Sequence, residues 1–196
     1  MTPPPKARPA LAVPAPPLSD AVVSLRTWRD DDVDALVVAC QDPATQRFIP
    51  IPRPYRREDA VGYVARTARQ WADGSKAAFA IVDATDPDVL WGAINIALSS
   101  TTGNTAYWIV PAVRGHGVAE RALELLTGWA FGTLQLAVIL LEIRPENEAS
   151  QHVARAAGFH LAGRLDVNDV TGDRDSLIFA RLAADPTPEP HHPNHP

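Results

Sequence analysis

A single cysteine, Cys40, stands in the whole chain. That excludes an internal disulfide and a thiolate zinc cluster, and one free thiol fits a reducing compartment. Basic excess is missing too. The 18 Lys and Arg are outnumbered by 23 Asp and Glu, for a formal net charge of −5, so the broad cationic surface used to bind nucleic acid is not encoded. Apolar runs are short. The best, Leu136–Leu141, has the size of a strand, well below the about 18 residues of a membrane span. Near the N terminus, prolines interrupt what would be the apolar core of a secretory signal. These absences point to a cytoplasmic protein whose partners include neither nucleic acid nor membrane.

Proline is what the chain has in quantity. Seven of its 19 prolines fall in residues 1–17 (MTPPPKARPALAVPAPP) and five in 186–196 (PTPEPHHPNHP). Such composition cannot build a packed core, so residues 1–19 and 184–196 read as extended, disordered tails. His191, His192 and His195 in the second tail lack the surrounding carboxylate–histidine framework of a metal site, so no metal is expected. Between the tails, residues 20–183 form one domain, with apolar (46%) and charged (21%) fractions in the ordinary globular range over the whole chain.

Within that domain strand and helix periodicities alternate. Val22–Trp28 reads as a strand, and Asp30 as the N-cap of a helix reaching Cys40, with Asp31 and Asp32 near its positive end. RFIPIPRPYRRED is a proline-stiffened loop leading to a helix over Glu58–Ala72, closed by Asp73-Gly74. Lys76–Asp83 and Val89–Leu98 form a strand pair. The turn TTGN (101–104) introduces a strand over Thr105–Val110, stopped by Pro111. A helix follows, with Val118, Ala122, Leu125, Leu126 and Trp129 on one face. Leu136–Ile143, nearly all apolar, reads as a strand covered on both faces. A helix over 147–157 ending at Gly158, and strands over 160–165 and 175–182, complete the domain. The order is β-α-α-β-β-β-α-β-α-β-β. It implies an α/β fold built on one mixed sheet, with Thr105–Val110 and Leu136–Ile143 parallel across a helical crossover. Trp71, Trp91, Trp108 and Trp129 read as core or groove walls.

Two stretches could carry chemistry. Arg114-Gly115-His116-Gly117-Val118-Ala119 leaves a strand and enters a helix directly. Glycines there let the backbone approach a ligand while N-terminal N–H groups face an anion. It is neither a Walker loop nor GxGxxG; phosphate binding is the favoured reading of these six residues, and a tight strand-to-helix turn with solvent-facing Arg and His is the alternative. The second stretch is PENEAS, 145–150. Asn147 suits a helix cap. Ser150 suits one poorly, since a capping box wants Glu or Gln there, and its hydroxyl could instead donate to a leaving group.

Together the stretches identify a family resemblance. YWIVPAVRGHGVAERALELLTGWAF…LEIRPENEASQHVARAAGF, residues 107–159, resembles the GNAT superfamily of N-acetyltransferases, above all its Rim-type branch, whose members acetylate the N-terminal amine of ribosomal proteins. Arg114-x-x-Gly117-x-Ala119 fits the pyrophosphate motif Q/R-x-x-G-x-G/A. Tyr107-Trp108 precede it as in that branch, Asn147-x-x-Ser150 fits N-x-x-S, and Gly158-Phe159 closes the helix. VVSLRTWRDDDVD (22–34) resembles the branch's opening strand and helix.

The resemblance implies a GNAT fold: a mostly antiparallel, twisted central sheet with one parallel, splayed strand pair and helices on both faces. It implies acetyl-CoA as cosubstrate. Backbone amides of Arg114, Gly115, His116, Gly117, Val118 and Ala119 would hold its pyrophosphate. Trp108, Ile109 and Val110 would line the pantetheine arm, with one N–H of Ile109 or Val110 polarising the thioester carbonyl. Asn147 would contact the arm, and Ser150 would protonate or hydrogen-bond the departing thiolate. The acceptor amine attacks directly, which leaves Cys40 no catalytic role.

The family's acidic residue ahead of the aromatic pair is missing, and Asn104-Thr105 stand in its place. Glu142 is the candidate base, and equally an outward carboxylate near Arg144. His116 and Glu120 are poor candidates. The gap tilts the acceptor toward a low-pKa amine. An α-amine titrates near 7.7–8.0, whereas a lysine near 10.4 needs roughly 3.5 kcal/mol more help. A protein N terminus is therefore the leading acceptor and a small-molecule amine (aminosugar antibiotic or polyamine) the alternative. A non-catalytic acyl-CoA-binding module is the reading outside enzymes. Arg53, Arg56 and Arg57, in a loop expected to overhang the acceptor groove, suit either an acidic substrate or solvent. The sequence is compatible with a monomer or a homodimer.

Overall fold

The computed structural model describes residues 9–165 and 175–186. The strands are β1 (Leu18–Ser19), β2 (Val23–Thr27), β3 (Lys76–Asp83), β4 (Leu90–Ser99), β5 (Thr102–Ile109), β6 (Val138–Ile143), β7 (His160–Leu165) and β8 (Ser176–Leu182). The helices are α1 (Val33–Ala39), α2 (Pro43–Phe48), α3 (Arg57–Ala72), α4 (Val118–Gly132) and α5 (Glu148–Ala156), with short 3-10 turns at Asp30–Asp32 and Pro111–Val113. All eight strands form one sheet in the order β1-β2-β3-β4-β5-β6-β8-β7. Every pairing is antiparallel except β5 with β6. This is the mixed α/β architecture expected from the alternating patterns.

Alternation along β3 shows how the layers are set. Phe79 and Ile81 point to the core shared with Leu123, Leu126 and Trp129 of α4, while Ala78, Ala80 and Val82 face the second core with Leu36 of α1 and Ala60 and Val64 of α3. Small residues on one face let α3 lie close, and large ones fill the space beneath α4. Phe79 stands edge-on to both Trp71 (5.1 Å) and Trp129 (5.6 Å). Each fully buried Leu, Ile or Phe here contributes roughly 1.5–3 kcal/mol relative to exposure. Trp71 and Trp129 are core residues; Trp91 and Trp108 are half-buried.

Several sequence expectations need correction. Asp30 does not cap a helix: Asp32 is buried, takes the Arg29 N–H at 2.8 Å and pairs bidentately with Arg26 at 2.7 and 2.8 Å. A carboxylate that neutralises a buried guanidinium outcompetes one that would only cap. Residues 9–19 are not a loose tail. Leu11 donates its N–H to Trp71 O and packs on the core, and β1 pairs with β2. β5 starts at Thr102 instead of Thr105, because the chain reverses over Ser100 and Thr101 and Thr102 already pairs with Ser99. β6 alternates instead of being buried on both faces: Ile139, Leu141 and Ile143 are buried, while Glu142 is exposed. The helix α2 had no place in the sequence pattern, although Asp42-Pro43 carries its signal, a capping carboxylate followed by proline at the first turn. Beyond residue 186 the second tail, with His191, His192 and His195, lies outside the described residues.

Candidate active site

A cleft opens where β5 and β6 part. β5 pairs with β4 along its full length, from Thr102↔Ser99 to Ile109↔Gly92. With β6 it pairs over Thr102–Thr105 alone, opposite Val138–Leu141. Beyond that point Glu142 and Ile143 pair with β8, and Ala106–Ile109 keep β4 as their one strand partner. The Val110 N–H reaches Trp91 O at 2.8 Å. In an antiparallel ladder the main-chain groups alternate sides, so Tyr107 and Ile109 turn theirs toward the cleft. The Ile109 carbonyl confirms the parity, accepting from Arg114 Nε at 2.9 Å.

Part of what separates the strands is α2. Arg114, just beyond β5, donates to Asp42 Oδ2 at 2.5 Å and Thr45 Oγ1 at 3.2 Å at the start of α2. Arg144, just beyond β6, donates to Arg47 O at 3.0 Å near its end. The two strand exits are thus strapped to opposite ends of a six-residue helix. Such a helix is about 9 Å long, nearly twice the ~4.8 Å spacing of paired strands. The Asp42 carboxyl feels burial, which raises its pKa, but the bonds from Arg114 and Thr45 outweigh that and hold it below the usual range.

At the cleft's mouth lies the glycine turn. Gly115 (φ 79°) and Gly117 (φ 74°) are both left-handed, a conformation costly for a residue with a Cβ. Gly117 is the N-cap of α4 and makes no side-chain capping bond. The helix therefore opens with backbone donors at its positive end beside open space into which a side chain at Gly115 or Gly117 would project. Val118 buries its side chain, and Ala119 is half-buried. The Arg114 side chain is bound to α2 and β5 and remains exposed. His116 is exposed, its Nδ1 3.0 Å from Arg114 O.

The opposite bank is α5. Asn147 caps it, its Oδ1 accepting the Ser150 N–H at 3.2 Å. The Ser150 hydroxyl lies 2.8 Å from the Tyr107 hydroxyl, so a side-chain bond links β5 to α5 across the gap. Burial pushes the Tyr107 phenol up to about 12, against a smaller downward pull from Ser150. Glu142 lies apart, exposed on the other sheet face, which Trp108 shares where it packs beside the α1–α3 core. Thr105 donates its hydroxyl to Asn95 O at 2.7 Å and is buried, and Asn104 is exposed. Cys40 is buried, and burial raises its thiol to about 11, partly offset by Tyr55. It is therefore no nucleophile at neutral pH. Arg57 pairs with Asp34, and Asp59 takes the Arg56 N–H, while Arg53 is exposed.

The structure thus gathers Ile109, Val110, the 114–119 turn, Asn147 and Ser150 around one cleft and leaves Glu142 and Trp108 on another face. Sequence reasoning missed the Tyr107 hydroxyl and the Asp42–Arg114 strap. Both join residues far apart in the chain, and no local pattern announces them. Among the described residues no cluster of His, Cys, Asp or Glu could hold a metal ion, and no helix is long and apolar enough to cross a membrane.

Comparison with known proteins bears on this cleft. The family described as acetyltransferase (GNAT) domain matches residues 23–160. Among solved structures, a putative ribosomal-protein-serine acetyltransferase from Vibrio cholerae superposes with a TM-score of 0.76 at 18% identity, covering 87% of this chain and 99% of that one. Mycobacterium smegmatis RimJ, in complex with CoA-disulfide, gives 0.71 at 25% identity over 91% and 88% of the two chains. A spermidine N-acetyltransferase SpeG chimera from Vibrio cholerae and hSSAT gives 0.66 at 18% identity over 83% and 96%.

Proposed function

The chain belongs to the acetyltransferase (GNAT) family, and from that premise we propose that it transfers the acetyl group of acetyl-CoA to the α-amine of a protein N terminus. The observation that carries the proposal is the cleft itself, in which the outer half of β5 lacks a second strand partner and leads straight to the left-handed Gly115–Gly117 turn. A pantetheine arm, with amides of its own, can occupy the place of the missing strand. Its pyrophosphate then meets the backbone of Arg114, Gly115, His116, Gly117, Val118 and Ala119.

The chemistry follows from what the cleft offers. With the Val110 N–H committed to Trp91, the Ile109 N–H is the donor left to polarise the thioester carbonyl. The neutral amine attacks the carbonyl carbon directly, the C–S bond breaks, and Ser150 faces the sulfur. Asn147 spends its Oδ1 on Ser150 and has its amide nitrogen for the arm. Among the described residues no carboxylate acts on the Tyr107 phenol, which feels burial and Ser150, and Glu142 lies on the other face. An α-amine of pKa near 7.7–8.0 already supplies a neutral fraction, so water can take the proton after attack. The similar structures include a putative ribosomal-protein-serine acetyltransferase and a spermidine N-acetyltransferase chimera, so a polyamine or another small amine is the second reading.

Thiol release from acetyl-CoA separates these readings, measured with free-N-terminus peptides, the same peptides N-blocked but carrying lysine, spermidine, and an aminoglycoside. Turnover is expected on free N termini. Turnover on spermidine or the aminoglycoside alone would overturn the N-terminal reading, and tight CoA binding without turnover on any acceptor would favour a binding module.

A further inference from the structure

The bond between Tyr107 and Ser150 is a polar link between the two banks of the cleft. Tyr107 belongs to the outer half of β5, and Ser150 sits in the first turn of α5. Their oxygens are 2.8 Å apart. Ser150 is held in place by its backbone, through Asn147, so its hydroxyl rotor is the free variable. A phenol, ordinarily near 10, is a far stronger donor than an aliphatic hydroxyl. The pair therefore settles with the phenol donating to Ser150 Oγ, which leaves the serine proton to point elsewhere. Tyr107 also packs against the α4–α5 core and is half-buried, so its ring cannot swing away to a competing acceptor.

We infer that Tyr107 is a positioning residue for the leaving group: it fixes the Ser150 hydroxyl so that its hydrogen is aimed at the sulfur, and the pair stabilises the departing thiolate by hydrogen bonding without giving it a proton. This rests on the acetyl-transfer reading and deepens it. The balance of the step is simple. The amine lone pair forms the C–N bond, the C–S electron pair goes to sulfur, and the thiolate leaves accepting O–H from Ser150. Solvent then protonates the sulfur, and the new ammonium loses its proton to water. Acid strength supports donation over transfer. A thiol near 8.5 is a stronger acid than either hydroxyl, so the thiolate does not take a proton from a phenol held at about 12.

Two measurements test this. The first titrates the thiol of bound CoA by ultraviolet thiolate absorbance, which needs no turnover. In the wild type the thiol pKa should lie about one unit below that of free CoA, and Tyr107→Phe and Ser150→Ala should each return it toward the free value. The second is steady-state kinetics with acetyl-CoA and a reactive amine. Tyr107→Phe should lower kcat about 5- to 10-fold with little change in the KM for acetyl-CoA or in Tm, and the double variant should be no worse than Ser150→Ala. An unshifted thiol pKa in the wild type, or losses that multiply in the double variant, would overturn the inference. Failure of every amine to react, with the bound thiol still shifted, would strike at the acetyl-transfer reading and leave the role of Tyr107 intact.

Discussion

The two halves of β5 lie in one strand and do different work. Thr102–Thr105 is paired on both sides, by β4 and β6, and Gly103 and Thr105 are buried. Ala106–Ile109 is paired by β4 alone and turns its other edge to the cleft. The first half joins β1–β4 to β6, β8 and β7. The second half keeps an edge open, a feature proteins ordinarily cover or blunt because unpaired N–H and C=O groups invite a partner. In the proposed function that partner is the pantetheine arm. The lesson is that the site is made by withholding strand pairs, and the contrast predicts that substitutions in the inner half harm folding while those around the outer half harm chemistry.

The largest effect should come from the inner half. A Cβ at Gly103 would stand 2.4 Å from Ile96 Cδ1 and 2.9 Å from Leu136 Cδ1. Gly103→Val should cost about 3 kcal/mol of stability, read by urea denaturation, with acetyl-CoA affinity of the remaining folded protein unchanged. Gly117→Trp is the counterpart at the outer end. Beyond its chain neighbours nothing lies within 4 Å of a Cβ there, so the side chain would project into the space the pyrophosphate is proposed to occupy. Titration calorimetry should show acetyl-CoA affinity reduced at least about 10-fold, beside a stability loss of only about 1–2 kcal/mol from the left-handed backbone. Equal affinities would remove the pyrophosphate from this turn.

A smaller effect is expected at the strap. Asp42→Asn keeps the cap but weakens the grip of Arg114 on α2, and should raise the acceptor KM about 3-fold while acetyl-CoA affinity holds. The same strap has a pH signature. Because the folded Asp42 pKa is depressed, its contribution is present above about 4 and lost as pH falls through the folded value. Added acid should therefore loosen the wild type there and leave the Asp42→Asn variant indifferent. The smallest change is expected for Glu142→Gln, less than about 2-fold in kcat for an α-amine acceptor. A sharp loss at unchanged acetyl-CoA affinity would restore Glu142 as the base.

Much of this was legible along the chain. Apolar periodicity and the flanking turns located β3, α3 and β8 to within a residue, and the apolar stripe of α4 marked its buried face. The glycine turn and Asn147-x-x-Ser150 were legible because a left-handed backbone and a helix cap are local demands on residue type. Asp30 misled, since three consecutive aspartates look alike to a capping rule and the choice among them was made by Arg26. The proline-rich start misled for a similar reason: composition speaks for the average residue, whereas Leu11 and β1 each found a neighbour in the fold.

Fold class, the phosphate-type turn and the family resemblance were therefore determined by the sequence itself, through periods and motifs that span at most a few dozen residues. Tertiary structure alone decided that β5 parts from β6 after Thr105, that the exposed Arg114 grips α2, that Glu142 lies on the wrong face for Ser150, and that Tyr107 meets Ser150 across 43 residues. Each depends on the relative placement of distant segments. Local pattern is blind to that placement, because it is set by packing of the whole sheet between its two helical layers.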